Sequence, residues 1–240
     1  MVRDSRVLRH QFGDWLKKDP LGHHVALNEI HFFQRMLTDM FGFYAVQIGL
    51  PEYNLLNNCR IAHCATIDEI SSATILSKLT VLPFQHESID LILLPHTLDF
   101  HEEPLQILSA VAHTLIPGGR LLLTGFNPFS LWGIRHFFQK KSSKVPWNGA
   151  FFSLNCFKDW CRLVGLEIER GYFMIYTPPF LLSLKYSQLT NDMGDRWWPM
   201  GAAVYGISAT KKIYHVRCIA PKWKSIGITK PLAVIDNKYS

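Results

Sequence analysis

Residues 82–128 read LPFQHESIDLILLPHTLDFHEEPLQILSAVAHTLIPGGRLLLTGFNP, and the order of parts in this stretch decides the fold. Two short apolar runs, 89–94 and 121–124, have the pattern of strands that are covered on both faces. Between them, Pro104 suits the first turn of a helix that Pro117 ends. The apolar face of that helix is expected at Leu105, Leu108, Val111, Ala112 and Leu115. A strand, a helix and a second strand of these lengths predict a crossover unit in a mostly parallel sheet.

The same stretch resembles the class I methyltransferases that use S-adenosylmethionine, in particular a small bacterial branch of the methyltransferase-11 type. The matching motifs are Leu82-Pro83-Phe84, Ile89-Asp90-Leu91-Ile92, His96-Thr97-Leu98-Asp99-Phe100 and Pro117-Gly118-Gly119. A proteobacterial subgroup without a settled substrate is similar at Leu94-Pro95-His96, Asn127 to Gly133 and Arg196 to Pro199. The resemblance implies an α/β, Rossmann-like three-layer sandwich whose seven-stranded sheet is mostly parallel, with the last strand antiparallel.

Apolar runs elsewhere predict the remaining elements. The expected strands are 44–48, 60–65, 79–82, 89–94, 121–124, 167–175 and 203–209. The expected helices are one with an apolar face from Ala26 to Met40, one at 130–138 and one that Ser153 caps and Gly165 ends. This order divides the chain into a helical cap (1–43), a methyltransferase-like domain (44–210) and a basic extension (211–240).

S-adenosylmethionine is the cofactor that the resemblance implies, bound where the first strands end at the carboxyl edge of the sheet. One wall of the cofactor site is then Gln47, Gly49, Leu50 and Pro51, and the other is Leu82, Pro83, Phe84, Pro95 and His96.

The first wall departs from the family pattern. Gln47 stands where the family has an acid, only Gly49 remains of a glycine-rich loop, and Pro51 has no N–H to donate. Lys78 aligns with the acid that meets the adenine amino group, a hydrogen bond that lysine cannot accept. For the carboxylate that holds the ribose, the first acid is Asp68, a few residues beyond the expected end of strand two, which is either a substitute or merely a surface residue.

His96 is the best candidate for a general base, because it follows strand four and its ordinary pKa lies near neutrality. Asp99 and His101 are the alternate candidates for this catalytic role. An equally weighted interpretation makes His96 a structural residue that bonds only the backbone.

The acceptor is expected among residues added to the core sheet. The candidates are Asn127, Trp132, Tyr172 and Trp197, with Arg135 or Arg196 to hold an anionic group. An aromatic lining suits a small aromatic or hydrophobic acceptor. Helical spacing instead favours core positions for Trp132, Phe137 and Phe138.

Three function classes follow: methyl transfer to a small molecule, a catalytically inactive relative that binds a ligand or protein partner, and an RNA or protein methyltransferase. The departures from the family pattern favour the second class. Only the basic end of the chain favours the third, since residues 196–240 hold eight of the 25 lysines and arginines and one of the 19 acids. Without an RNA-binding motif, a nucleic-acid partner is not expected.

Composition predicts the setting. A chain of 240 residues with 48% hydrophobic residues can bury one substantial core. No run reaches the roughly 18 apolar residues of a membrane span, and no apolar signal core follows Met1, so the cytoplasm is the expected compartment. The five cysteines form no CxxC pair, which favours free thiols and predicts no metal site.

Overall fold

A computed structural model describes residues 5–57, 59–70, 72–139, 144–178 and 201–212. Two helices come first, and seven strands and three helices follow. The helices are α1 (Ser5–Lys18), α2 (Pro20–Leu37), α3 (Pro104–Thr114), α4 (Leu131–Gln139) and α5 (Leu154–Leu163). The strands are β1 (Tyr44–Ile48), β2 (His63–Asp68), β3 (Ile75–Leu76), β4 (Ile89–Pro95), β5 (Leu115–Phe126), β6 (Leu166–Met174) and β7 (Val204–Lys211).

All seven strands form one sheet in the order β3-β2-β1-β4-β5-β7-β6. Strand β7 is antiparallel to both of its neighbours, and the pairs among β1 to β5 are parallel. Strand order reverses between β1 and β4, so the carboxyl ends of these strands open a crevice. The predicted fold class, a Rossmann-like sheet with its last strand antiparallel, is confirmed.

Each face of the sheet has its own apolar layer. Helices α3 and α5 cover one face, where Leu108 and Phe157 pack on Ile92 of β4. Helix α2 covers the other face with Phe33 and Leu37. Helix α1 lies on neither face, because its buried residues belong to a third, aromatic cluster with residues that follow the strands. This position places α1 over the carboxyl edge of the sheet.

Two strand predictions are wrong. Strand β2 begins at His63, which pairs with Tyr44, whereas apolar Ile61 is buried under α2 from a loop. Strand β3 is 75–76, and Leu79 is fully buried in a turn that the Val81 N–H closes on the Lys78 carbonyl. Both errors have one cause: Ile61 and Leu79 enter the core from a loop and a turn, and in the sequence such buried apolar residues look like part of a strand.

Three smaller expectations also fail. Leu105 of α3 is 38% exposed, and Ile107 takes its place in the core. Phe137 and Phe138 are 76% and 80% exposed, because α4 buries only Trp132 and Gly133. The Pro117-Gly118-Gly119 turn lies inside β5 as an irregularity of its pairing with β4.

Among the described residues, no helix has the length and hydropathy that a membrane span requires. The expected basic extension lies almost wholly in residues 213–240, which are outside the described ranges. The segment from Arg196 to Pro199 is also outside the described ranges.

Candidate functional site

The chain turns sharply where β1 ends. Gly49 and Leu50 have φ values of 84° and 48°, the left-handed region that favours glycine. A Cβ atom on Gly49 would lie 2.6 Å from the hydroxyl of Thr97, which donates a hydrogen bond to the Ile48 carbonyl. Gly49 is therefore required both for the turn and for the close approach of the segment that follows β4.

Gln47 braces this turn. Its side-chain N–H group donates to the carbonyls of Gly49, Leu50 and Tyr53 at 3.1, 2.9 and 2.7 Å. Its Oε1 accepts a hydrogen bond from the Leu55 N–H at 3.0 Å, and the residue is fully buried. The amide is thus committed to its own loop at the position where the resemblance implies a ligand of the methionine ammonium.

A buried cluster of one histidine and two acids lies beyond β4. The Nδ1 atom of His96 is 2.7 Å from Oδ2 of Asp99, and its Nε2 atom is 2.8 Å from Oε1 of Glu29. Asp99 also accepts the Phe126 N–H at 3.0 Å, which fixes the carboxylate against β5. Glu29 comes from α2 and was not predicted as a site residue. The feature of the sequence that could have indicated it is an acid within the apolar face from Ala26 to Met40.

The charges of this cluster set the protonation state of His96. Burial disfavours the charged imidazolium, but Glu29 and Asp99 outweigh that effect and raise the pKa of His96 to about 9. At neutral pH His96 is therefore an imidazolium that cannot accept a proton. While α2 holds Glu29 against it, His96 is not poised to act as a base.

Asp68 ends β2 and is fully buried. The expectation that it follows the strand by a few residues is wrong, since β2 begins three residues later than predicted. Arg9 of α1 donates from Nη2 to Asp68 at 3.0 Å and to Glu69 at 2.9 Å. The carboxylate that the resemblance assigns to ribose binding is thus paired with a guanidinium of the N-terminal cap.

Phe12 of α1 packs against rings that follow β4 and end β5. Its ring centroid lies 5.1 Å from that of His96, 4.6 Å from Phe100 and 5.9 Å from Phe126. Only 1% of its surface is exposed. Behind it, Phe126 stacks on Trp132 at 6.0 Å and extends the aromatic layer away from the crevice.

The next residue of α1, Gly13, lies directly on the β1 turn. A Cβ atom there would collide with the Glu52 carboxylate and approach Leu50 within 3.7 Å. Lys17 continues the same face, 3.9 Å from Glu52 and over the ring of Tyr53. At helical spacing, these residues seat one face of α1 across the ends of β2 and β1.

A cavity of about 650 Å³ remains beside the N-terminal end of α1. Leu76, Lys78 and His101 line it together with Glu69. Lys78 marks the side of the crevice that the resemblance assigns to adenine. The cavity therefore lies on the side that the resemblance assigns to adenine, whereas Arg9 pairs with the carboxylate that the resemblance assigns to the ribose.

The second wall of the predicted cofactor site is only partly at this edge. Pro95 ends β4 there, next to His96. Leu82 and Phe84 instead line a groove of about 490 Å³ against α3, beside Gln106 and His113. Pro83 is exposed between them.

The predicted acceptor residues are separated. The side-chain N–H group of Asn127 donates to the Ala202 carbonyl at 2.9 Å, and its Oδ1 atom accepts the Phe129 N–H. Trp132 is buried in the aromatic layer and donates to the Thr177 carbonyl at 3.0 Å. Tyr172 packs on Phe32 of α2, away from the crevice. Trp197 lies outside the described residues.

The architecture defines the class: this is the fold of the S-adenosylmethionine-dependent class I methyltransferases. Residues 56–123 match the family model of a methyltransferase domain. The uncharacterized protein YafS of Escherichia coli (strain K12) is 31% identical over 137 residues, or 55% of each chain. The chain thus spans about half the length of the curated relative it matches.

Solved structures share the fold at low sequence identity. A methyltransferase of Thermotoga maritima, described as a possible histamine N-methyltransferase, matches with a TM-score of 0.62 and 19% identity over 85% of this chain and 99% of that one. The [4+2]-cyclase SpnF matches with a TM-score of 0.54 and 12% identity over 77% and 80% of the two chains. The sequence resemblance to class I methyltransferases is confirmed, and the cyclase shows that the fold alone does not fix the reaction.

Proposed function

We propose that this protein transfers a methyl group from S-adenosylmethionine to a small aromatic or hydrophobic acceptor. The observation that carries the proposal is the joint position of the Gly49 turn, Asp68 and His96 at one carboxyl edge of a methyltransferase fold. Each is the residue type that such a site uses: a backbone turn without a side chain, a ribose acceptor and a titratable base.

The base function of His96 requires that the Glu29 carboxylate leave its Nε2 atom. If the Glu29 carboxylate turned away from Nε2, the pKa of His96 would fall from about 9 toward its ordinary value. Asp99 is held by the Phe126 N–H and would stay on Nδ1, leaving Nε2 to accept a proton from an acceptor. Activation of His96 thus depends on the Glu29 carboxylate and not on the position of α1.

Aromatic rings next to His96 support the choice of acceptor. The ring centroids of His96 and Phe126 are 4.1 Å apart, and Phe126 stacks on Phe151 at 4.9 Å. Rings arranged in this way favour a planar or apolar molecule once Phe12 has left.

A transfer assay with S-adenosylmethionine labelled at the methyl group tests the proposal. The purified protein should release S-adenosylhomocysteine in the presence of small phenolic or heteroaromatic acceptors. His96→Gln should lower turnover by roughly 100-fold, the usual weight of a general base, without weakening cofactor binding. Binding of the cofactor without turnover of any acceptor would refute the enzymatic part of the proposal.

A second candidate is an inactive relative that binds a ligand or a protein partner. Two observations favour it: the Gln47 amide is committed to its own loop, and Arg9 already neutralises Asp68. Calorimetric titration with S-adenosylhomocysteine separates the candidates, because an inactive protein with a permanently filled crevice gives no heat at any concentration. The RNA or protein methyltransferase hypothesis stays a prediction, since the basic extension that favours it is not described.

A further inference from the structure

We propose that helix α1 is an intramolecular competitor of the cofactor: one of its faces occupies the ribose and methionine side of the crevice, and ligand binding displaces it. The inference rests on the proposed function, because it assigns the crevice to S-adenosylmethionine. It adds a mode of regulation, in which the resting protein is closed to its own cofactor.

The contact at Asp68 is the first argument. Arg9 and Asp68 are 2% and 0% exposed, so their ion pair is wholly removed from water. The Nε and Nη1 atoms of Arg9 and Oδ2 of Asp68 nevertheless have no hydrogen-bond partner among the described residues. A buried pair with unused donors and an unused acceptor is a poor permanent anchor, since its desolvation is only partly offset. A diol that supplied two hydroxyl donors to Asp68 would satisfy the carboxylate better.

Steric overlap is the second argument. Phe12 lies within ring contact of both His96 and Phe126, and Gly13 rests on the turn at Leu50. A ligand that approached the backbone of Gly49 and reached His96 would have to occupy the volume of these two α1 residues. Ligand and α1 therefore exclude each other.

The third argument is that α1 can separate from the remainder of the fold. It is a 14-residue helix that buries only four residues, Arg9, Phe12, Gly13 and Leu16, and it adds no strand to the sheet. A single residue, Asp19, joins it to α2 and accepts the Leu21 N–H, so that α2 keeps its own N-cap without α1. Movement of α1 leaves the strand pairing and both faces of the sheet intact.

The open cavity supplies an entry route. About 650 Å³ beside Lys78 is accessible while α1 is in place. The adenine end of a ligand can enter this cavity first, and the remaining part then competes with Arg9 and Phe12 for the crevice.

Calorimetric titration with S-adenosylhomocysteine tests the inference on the full-length wild-type protein, Gly13→Glu and the matched control Gln11→Glu. The carboxylate introduced by Gly13→Glu would meet Glu52 and lift α1, whereas Gln11 is exposed on the same helix and receives the same charge. We expect Gly13→Glu to bind at least tenfold more tightly than the wild type and Gln11→Glu to bind like it. Faster tryptic cleavage after Lys17 and Lys18 in Gly13→Glu shows that α1 has moved.

Arg9→Glu is the second variant, since it places a carboxylate against Asp68 and Glu69 and releases α1 by a different contact. Equal affinity of the wild type and both displaced variants would overturn the competition but leave cofactor binding intact. No binding by variants whose α1 is cleaved rapidly and whose sheet still unfolds cooperatively would overturn the proposed function and this inference with it.

Discussion

At the residue scale, Gln47 shows how one substitution changes the task of a position. The amide replaces an expected acid and both donates to and accepts from the loop 49–55, which a carboxylate cannot do. Gln47→Glu would bring a buried charge against three carbonyl oxygens. We expect it to lower the free energy of unfolding by about 3 kcal/mol rather than to improve cofactor binding.

Urea denaturation measures this loss. Gln85→Glu is the control, because Gln85 is exposed in the loop before β4 and its change should stay within about 0.5 kcal/mol. If Gln47→Glu is as stable as the wild type, the Gln47 amide does not stabilise the loop 49–55 through its hydrogen bonds.

The raised pKa of His96 gives stability a defined pH dependence. His96 binds its proton more tightly when folded, with a pKa of about 9 against an unfolded value of about 6.5. The stabilisation is therefore complete below pH 6.5 and is lost as pH rises through about 9. Glu29→Gln removes one of the two charges that raise the pKa, so the stability advantage of the wild type over this variant should shrink between pH 7 and pH 9.5.

Thermal unfolding of both proteins across this range measures the effect, and the difference between them removes the contribution of other groups that titrate in the same window. A constant difference from pH 6 to pH 9.5 would mean that His96 is not charged in the closed protein.

Sequence reasoning located residues of this site when local motifs carried them. The apolar runs of β1 and β4 are clear in the sequence. Gly49 follows β1, Pro95 ends β4, and His96 and Asp99 come directly after it. Arg9 and Glu29 could not be assigned, because each meets its partner across about 60 residues or more and nothing local distinguishes it from a surface charge. The contacts that close the site are therefore the ones that the sequence did not reveal.

At the element scale, local signals predicted helices better than short strands. Helix α3 begins at Pro104, as predicted. Ser153 caps α5, also as predicted, and its hydroxyl accepts the Cys156 N–H at 3.2 Å. Strand β3 has two residues, too few to show a period, and its neighbour Leu79 misled the assignment because it is buried from a turn.

The cap of α5 is testable by itself. Ser153→Ala removes the only side-chain acceptor that the structure gives to the first turn of α5 and should cost about 1 kcal/mol of unfolding free energy. Ser109→Ala, at an exposed position within α3, should cost nothing, since alanine is the better helix former. Equal losses in the two variants would mean that the Ser153 cap does not stabilise α5.

At the scale of the whole molecule, the sheet and the cap have separate roles. The mostly parallel sheet agrees with the crossover pattern of the sequence, and the fold recurs in proteins that share less than a fifth of their residues with this chain. The cap does not follow from that pattern. In our proposal, helix α1 of the cap decides whether the carboxyl edge is open, so the proposed methyl transfer depends on a conformational equilibrium as well as on the site residues.

Hydrogen–deuterium exchange of the wild-type protein with and without saturating S-adenosylhomocysteine tests the central claim most directly. We expect opposite changes: slower exchange at residues 47–53 and 95–101, which would enclose the ligand, and faster exchange at residues 5–18, which the ligand would displace. Protection of all three segments together, or no change in any of them, would contradict the claim that α1 occupies the cofactor site.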